Sequence, residues 1–385
     1  MQSAVKISRL VALFLALSFP SLTFAQHYTQ TNLVTDMGSS APVTDSNLKN
    51  AWGLSRSTGS PWWVSDNGTG VSTLYNIAGT TSTLAATVNP RVVVIPPPNG
   101  STSTSTPTGQ VFNGSADFTL APGIPALFIF VTEDGTISGW NPGFDSAHPN
   151  NAALKVDNSP NAVYKGVTTG DVDGVRYLYV ANFRSGHIEI YNTNFKAVLS
   201  SNDHGGEHHG IFSEESFDDG EIPEGYAPFN IQNIGGSLFV AYAKQNAARH
   251  DDVAGEGFGF VDIFSTTGKL EGRLEHGPWL NSPWGVVWAP RDFGEFSNRV
   301  LVGNFGSGQI AAFNGFTGKF IGLMQNQNPN GTTLAIDGLW ALAFGNSANA
   351  GPYNALFFTA GPNAEANGLF GALTAVGSEQ DGDEE

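Results

Sequence analysis

Seven polar residues stand at matching points of a phrase that recurs along this chain. Asn50, Asn230, Asn281 and Asp337 precede short apolar runs, and Asp66, Asn182 and Asn304 close them. Carboxylate and amide oxygens are what a hard cation prefers. A ring of Asn50, Asn230, Asn281 and Asp337 is therefore a candidate site for calcium or another divalent cation. The same residue types hydrogen-bond turn backbone and accept left-handed dihedrals. Because Asn-Phe-x-x-Gly, at Asn182 to Gly186 and Asn304 to Gly308, needs turn formers whatever is bound, the turn is the preferred reading. A second set, Lys244 and Gln245 with Asn182, Asn304 and Asp66, offers a cation and amides to an anionic or sugar ligand; loop solvation is the competing reading for Lys244 and Gln245.

Other clusters carry less. His204-Gly205-Gly206-Glu207-His208-His209 gathers three imidazoles and a carboxylate, but two glycines oppose the helical turn that would align His204 with His208, and no zinc spacing is met. Asp171-Val172-Asp173-Gly174 copies the start of a calcium loop, yet too little chain follows before Tyr177, and Asp-Gly between strands is a hairpin signal. Neither a Gly-x-Ser-x-Gly elbow nor a cysteine nucleophile is present. No catalytic residue is assigned.

The elements that must position these residues are short strands. Pro283 to Trp288, Val300 to Val302 and Gln309 to Phe313 read as three antiparallel strands joined by tight connections. The phrase returns with Val64, Val131, Val180, Val240, Val302 and Phe358 as anchors in successive second strands, at intervals of 49 to 67 residues. Six four-stranded units wrapped about an axis are expected, an all-β six-bladed propeller. The last unit lacks a fourth strand after residue 375, and Tyr28 to Val34 is a spare β-like segment, so the N-terminal strand is expected to close the ring. If each blade runs from axis to rim, the polar residues above share one face with the insertions 96–108, 202–227 and 243–257. Loops at one end of a rigid scaffold are where binding resides.

Pro283-Trp284-Gly285-Val286, Leu301-Val302-Gly303-Asn304-Phe305-Gly306, Asp337-Gly338-Leu339-Trp340 and Phe358-Thr359-Ala360-Gly361 resemble a group of exported bacterial proteins of unknown function, distantly similar to NHL-repeat propellers. Ala243-Lys244-Gln245 and Gly257 to Asp262 match as well, so the likeness covers nearly the whole mature chain. It implies a propeller and assigns no chemistry. Some members end in a hydrophobic sorting signal; this chain ends in Asp381-Gly382-Asp383-Glu384-Glu385 instead.

Lys6 and Arg9, the apolar run Leu10 to Leu17 and Thr23-Phe24-Ala25 read as an export signal over residues 1–25, too short to span a bilayer. The propeller is expected over 26–377, with an acidic disordered tail at 378–385. Removal of the signal takes the formal charge from −17 to −19, which repels nucleic acid. There is no cysteine, so no disulfide supports the fold, and 47 glycines with 21 prolines suit many tight turns. The expectation is a periplasmic or extracellular monomer without a membrane span. It binds a small molecule, glycan or protein through the loop-rich face around the axial tunnel. A metal-dependent lactonase- or lyase-like enzyme and an envelope scaffold are the alternatives.

Overall fold

The computed structural model describes residues 27–199, 211–213, 215–327 and 332–376. The expected export signal, the histidine-rich run and the acidic tail lie outside these residues. Strands dominate because the apolar runs are only three to nine residues long, are rich in β-branched and aromatic residues, and are separated by turns rich in Gly, Asn and Asp.

Six blades result. Blade 1 comprises Ala51–Ser55, Trp62–Asp66, Val71–Ala78 and Ala85–Val88, and blade 2 Pro107–Phe112, Phe128–Thr132, Thr136–Trp140 and Ala153–Asp157. Blade 3 comprises Tyr164–Val172, Val175–Asn182, His187–Tyr191 and Ala197–Leu199; blade 4, Tyr226–Ile234, Ser237–Lys244, Gly259–Phe264 and Leu270–Arg273. Pro283–Trp288, Val300–Asn304, Ile310–Phe313 and Phe320–Leu323 form blade 5. Blade 6 takes Leu339–Phe344, Leu356–Ala360 and Leu369–Ala375 from the C-terminal end and His27–Thr35 from the N-terminal end. All six sequence anchors lie in second strands. Asp171 to Arg176 is the expected hairpin: Val172 pairs with Val175, and Asp173 and Gly174 both have positive φ, as a two-residue turn of the hairpin-favouring hand requires.

The first strands line the axis, and two glycines make their approach possible. A Cβ on Gly109 would come within 2.9 Å of the Gly166 Cα in blade 3, and one on Gly285 within 2.7 Å of the Trp340 carbonyl in blade 6. Further out, each adjoining pair of blades shares its own apolar core. Trp63, Phe128 and Trp140 fill the wedge between blades 1 and 2, and Trp62, Tyr75, Phe357 and Phe370 the wedge between blades 6 and 1. No described helix is long and apolar enough to cross a membrane.

Candidate functional site

Each first strand offers one side chain just before the position that is glycine in blades 1, 2, 3 and 5: Trp52, Thr108, Lys165, Phe229, Trp284 and Trp340 in blades 1 to 6. Several of these meet across the axis rather than around it. Trp340 of blade 6 stacks on Trp52 at 3.5 Å between centroids and also lies 5.7 Å from Phe229 of blade 4, while Trp52 stands edge-on to Trp284 of blade 5 at 6.2 Å. Phe305, on the blade 5 turn, stacks on the outer side of Trp340 at 4.0 Å. The loop-face end of the tunnel is thus filled by aromatic rings. Deeper along the axis a cavity of only about 20 Å³ remains, lined by Gly53, Gln110 and Trp284 among others.

Lys165 is the one charged member of this mostly aromatic layer. It is 2% exposed, and its ammonium lies 4.9 Å from the Trp52 ring centroid, 5.8 Å from Phe183 and 5.9 Å from Phe229. A buried ammonium needs a counter-charge. Glu133, on the blade 2 turn, supplies it through a direct ion pair, and Asp251, on the long blade 4 connection, lies 3.9 Å away.

From that pair a polar arc runs through neighbouring blades. Asn67 Nδ2 donates to Glu133 Oε2 at 2.8 Å; Asn50 Nδ2 donates to Asn67 Oδ1 at 3.3 Å and to Glu365 Oε1 at 3.1 Å; Trp340 Nε1 donates to Asn50 Oδ1 at 3.2 Å. On the other side His250 Nδ1 lies 2.7 Å from Asp251 Oδ1. Burial pushes the Glu365 carboxyl up, with the Glu133 charge adding to the effect, and burial likewise raises Asp252. Burial also opposes ionisation of Asp251, but the His250 hydrogen bond and the Lys165 charge outweigh it and hold this carboxyl below its ordinary range. Glu365 reaches the arc from an unusual turn: Asn363, Ala364 and Glu365 have φ of 59°, 53° and 65° in succession.

Of the residues singled out from sequence, Asp66, Asn182, Asn304 and Lys244 are the last residues of second strands, Asn50, Asn281 and Asp337 precede first strands, and Asn230, expected before a first strand, lies within Tyr226–Ile234. Asn182 Oδ1 accepts from the Val163 and Ser185 N–H groups, and Asn304 Oδ1 accepts from the Asn281 N–H at 2.8 Å. Asp66 occupies the same column. Its Oδ2 accepts from the Thr73 N–H at 3.0 Å, as those amide oxygens accept from backbone, and burial pushes its carboxyl well above the usual range. Asn281 Oδ1 accepts from the Gly255 N–H, Asn230 Nδ2 donates to the Trp284 carbonyl, and Asp337 Oδ2 accepts from the Asn363 N–H. No hydrogen bond joins any two of Asn50, Asn230, Asn281 and Asp337, and only Asn50 belongs to the arc. Lys244 covers the Phe258 ring at 4.1 Å, and the Gln245 amide bonds the Phe183 carbonyl, tying blade 4 to blade 3 beside the arc.

Lys165, Glu133 and Glu365 were not among the sequence candidates, and Asp251 entered only as part of the insertion 243–257. One signal pointed to Lys165: a lysine in a column otherwise held by Trp52, Thr108, Phe229, Trp284 and Trp340. Glu133 follows its second strand as Phe305 and Phe183 follow theirs, and nothing in its neighbours marks it out.

No protein-family model matches the chain. An uncharacterised protein of Acanthamoeba polyphaga mimivirus is 30% identical over 353 residues, covering 89% of this chain and 78% of the viral protein. A second uncharacterised protein of the same virus is 28% identical over 345 residues, 89% of this chain and 84% of its own. These relatives are viral, where the sequence resemblance implied bacterial ones. Among solved structures, the α-L-arabinofuranosidase of Fusarium graminearum in complex with arabinobiose aligns with a TM-score of 0.51 at 10% identity, over 91% of this chain and 98% of the other, a likeness of fold alone.

Proposed function

This chain belongs to the family of the first of those mimivirus proteins, and from that premise we propose that it is a binding module, acting through the centre of its loop face without turning its ligand over. The observation that supports this reading is the state of Lys165. Its ammonium is enclosed by three aromatic faces and engaged by Glu133, so it is not available as a nucleophile or base. What the mouth presents outward is acceptors: Asp251, whose side chain is 61% exposed, with partly exposed Glu365 and Asp252 around it. Such a rim suits a hydroxyl-rich or amine-bearing ligand and repels an anionic one. Thermal-shift titration with polyols, glycans and amines tests the proposal. A saturable stabilisation abolished by Asp251→Asn supports it, and a panel that leaves both proteins unmoved rejects it.

A hydrolytic reading has one observation in its favour. Glu365 and Asp252 are carboxyls held up by burial near the mouth, the state a general acid needs. Turnover of a lactone, ester or glycan that falls with Glu365→Gln would replace binding with catalysis. Export over residues 1–25 is part of the same proposal. N-terminal sequencing of the protein made in an exporting host is expected to begin at Gln26, and an intact Met1 would reject it.

A further inference from the structure

We propose that the loop-face centre is also a site for a first-row divalent cation, held by Glu133, His250 and Asp251 in competition with the Lys165 ammonium. This rests on the same mouth as the binding reading above and deepens it. One ligand atom from each of the three residues can be chosen so that all lie within 4.8 Å of one another, close enough to converge on a single ion. They come from separate parts of the chain, Glu133 from the blade 2 turn and His250 with Asp251 from the blade 4 connection, so the grouping is tertiary.

Two independent features indicate that this place takes a cation and its ligands. First, a cation is already seated there: the Lys165 ammonium is paired with Glu133 and lies 3.9 Å from Asp251. Charge still remains, since the two carboxylates Glu133 and Asp251 face a single ammonium. Second, Trp52, 2% exposed and with its ring 4.9 Å from the Lys165 ammonium, keeps an indole N–H with no hydrogen-bond partner, a donor for an oxygen brought in with the ion.

The ligand chemistry sets the class. An imidazole with two carboxylates suits zinc or manganese, whereas calcium takes six to eight oxygens. The Asn50, Asn230, Asn281 and Asp337 ring is not involved. Lys165 acts as a tethered competitor. Its long side chain can draw back toward the Trp52 and Phe229 faces when an ion neutralises its partners.

The test is calorimetric titration of EDTA-stripped full-length protein with zinc, manganese and calcium chlorides, with no organic ligand present. One equivalent of zinc or manganese is expected, weakened at least about ten-fold by Glu133→Gln and by His250→Ala. Lys165→Met removes the competitor, so it should bind more tightly, and the ion should raise its melting temperature more than it raises that of the wild type. A triple variant with alanine at His204, His208 and His209 should bind as the wild type does. The proposal is overturned by no zinc or manganese uptake in wild type and a folded Lys165→Met protein, by uptake indifferent to Glu133→Gln and His250→Ala, by loss in the triple histidine variant, or by preference for calcium. If metal uptake fails while the organic-ligand shift persists, only this inference falls; if uptake succeeds and that shift is absent, the binding reading falls instead.

Discussion

At the scale of single residues, the buried pair Lys165–Glu133 decides what the mouth is. Charges taken out of water are tolerated only in company, and removing one partner leaves the other desolvated and alone. Lys165→Met is therefore expected to cost about 3–5 kcal/mol in chemical denaturation. Adding Glu133→Leu to it should recover stability, because no unpaired charge is then left behind. A double variant whose loss equals the sum of the two single losses would mean that the pair is not coupled. Asp66 makes the opposite case. A group whose carboxyl is raised on folding favours the folded state while protonated, and that contribution is lost as pH rises from the ordinary carboxylate range toward the raised value. Asp66→Asn keeps the amide-like partner for Thr73 without the charge. Its stability relative to wild type should grow as pH climbs above about 4, and melting curves across pH would show the two proteins parallel if Asp66 were ionised without penalty. The Asn and Asp columns were legible in the sequence because turn chemistry is local. The Lys165 arc was not, because Glu133, Asp251 and Glu365 become neighbours only once separate blades are wrapped about an axis.

At the scale of the element, the first strands of neighbouring blades approach too closely for a side chain at Gly53, Gly109, Gly166 or Gly285. Gly53→Ala would press a methyl group onto the Thr108 carbonyl of the next blade, a backbone atom that cannot swing aside. The expected cost is about 1–3 kcal/mol, as for overpacking elsewhere. Gly272→Ala, in the outer strand of blade 4 with nothing within 4 Å of the added carbon, is expected to change stability by no more than about 0.5 kcal/mol. Equal effects would mean that the inner strands are not close-packed. The left-handed run at Asn363, Ala364 and Glu365 is a second local constraint. Glycine adopts that conformation without a Cβ penalty, so Ala364→Gly should raise stability by up to about 1 kcal/mol. The strands themselves were readable from alternation and turn residues. This left-handed turn was not, because Pro-Asn-Ala-Glu carries no signal that excludes an ordinary turn.

At the scale of the whole molecule, the ring is closed by chain ends brought together. His27–Thr35 pairs antiparallel with Leu369–Ala375, from Tyr28 opposite Ala375 to Thr35 opposite Leu369. Sequence showed this closure because one blade was a strand short and one strand had no blade; what it could not show was the anchor. Tyr28 lies 4.8 Å from Phe293 and 5.8 Å from Phe296, centroid to centroid. Its hydroxyl donates to the Phe293 carbonyl at 2.8 Å and accepts from the Phe296 N–H at 3.1 Å, binding blade 6 to the blade 5 connection. Tyr28→Phe leaves two buried backbone groups without that partner, and an expected cost of about 1–3 kcal/mol follows from their desolvation. Deleting residues 27–35 does more. It strips the edge of Leu369–Ala375 and uncovers the blade 5/6 core, and an open strand edge recruits other chains. Such a protein should lose its cooperative melt and sediment as oligomers, and a synthetic peptide of residues 27–35 should restore both the melt and the monomer. A truncated chain that melted as sharply as the full one, at the same temperature, would mean that the circle holds without its clasp.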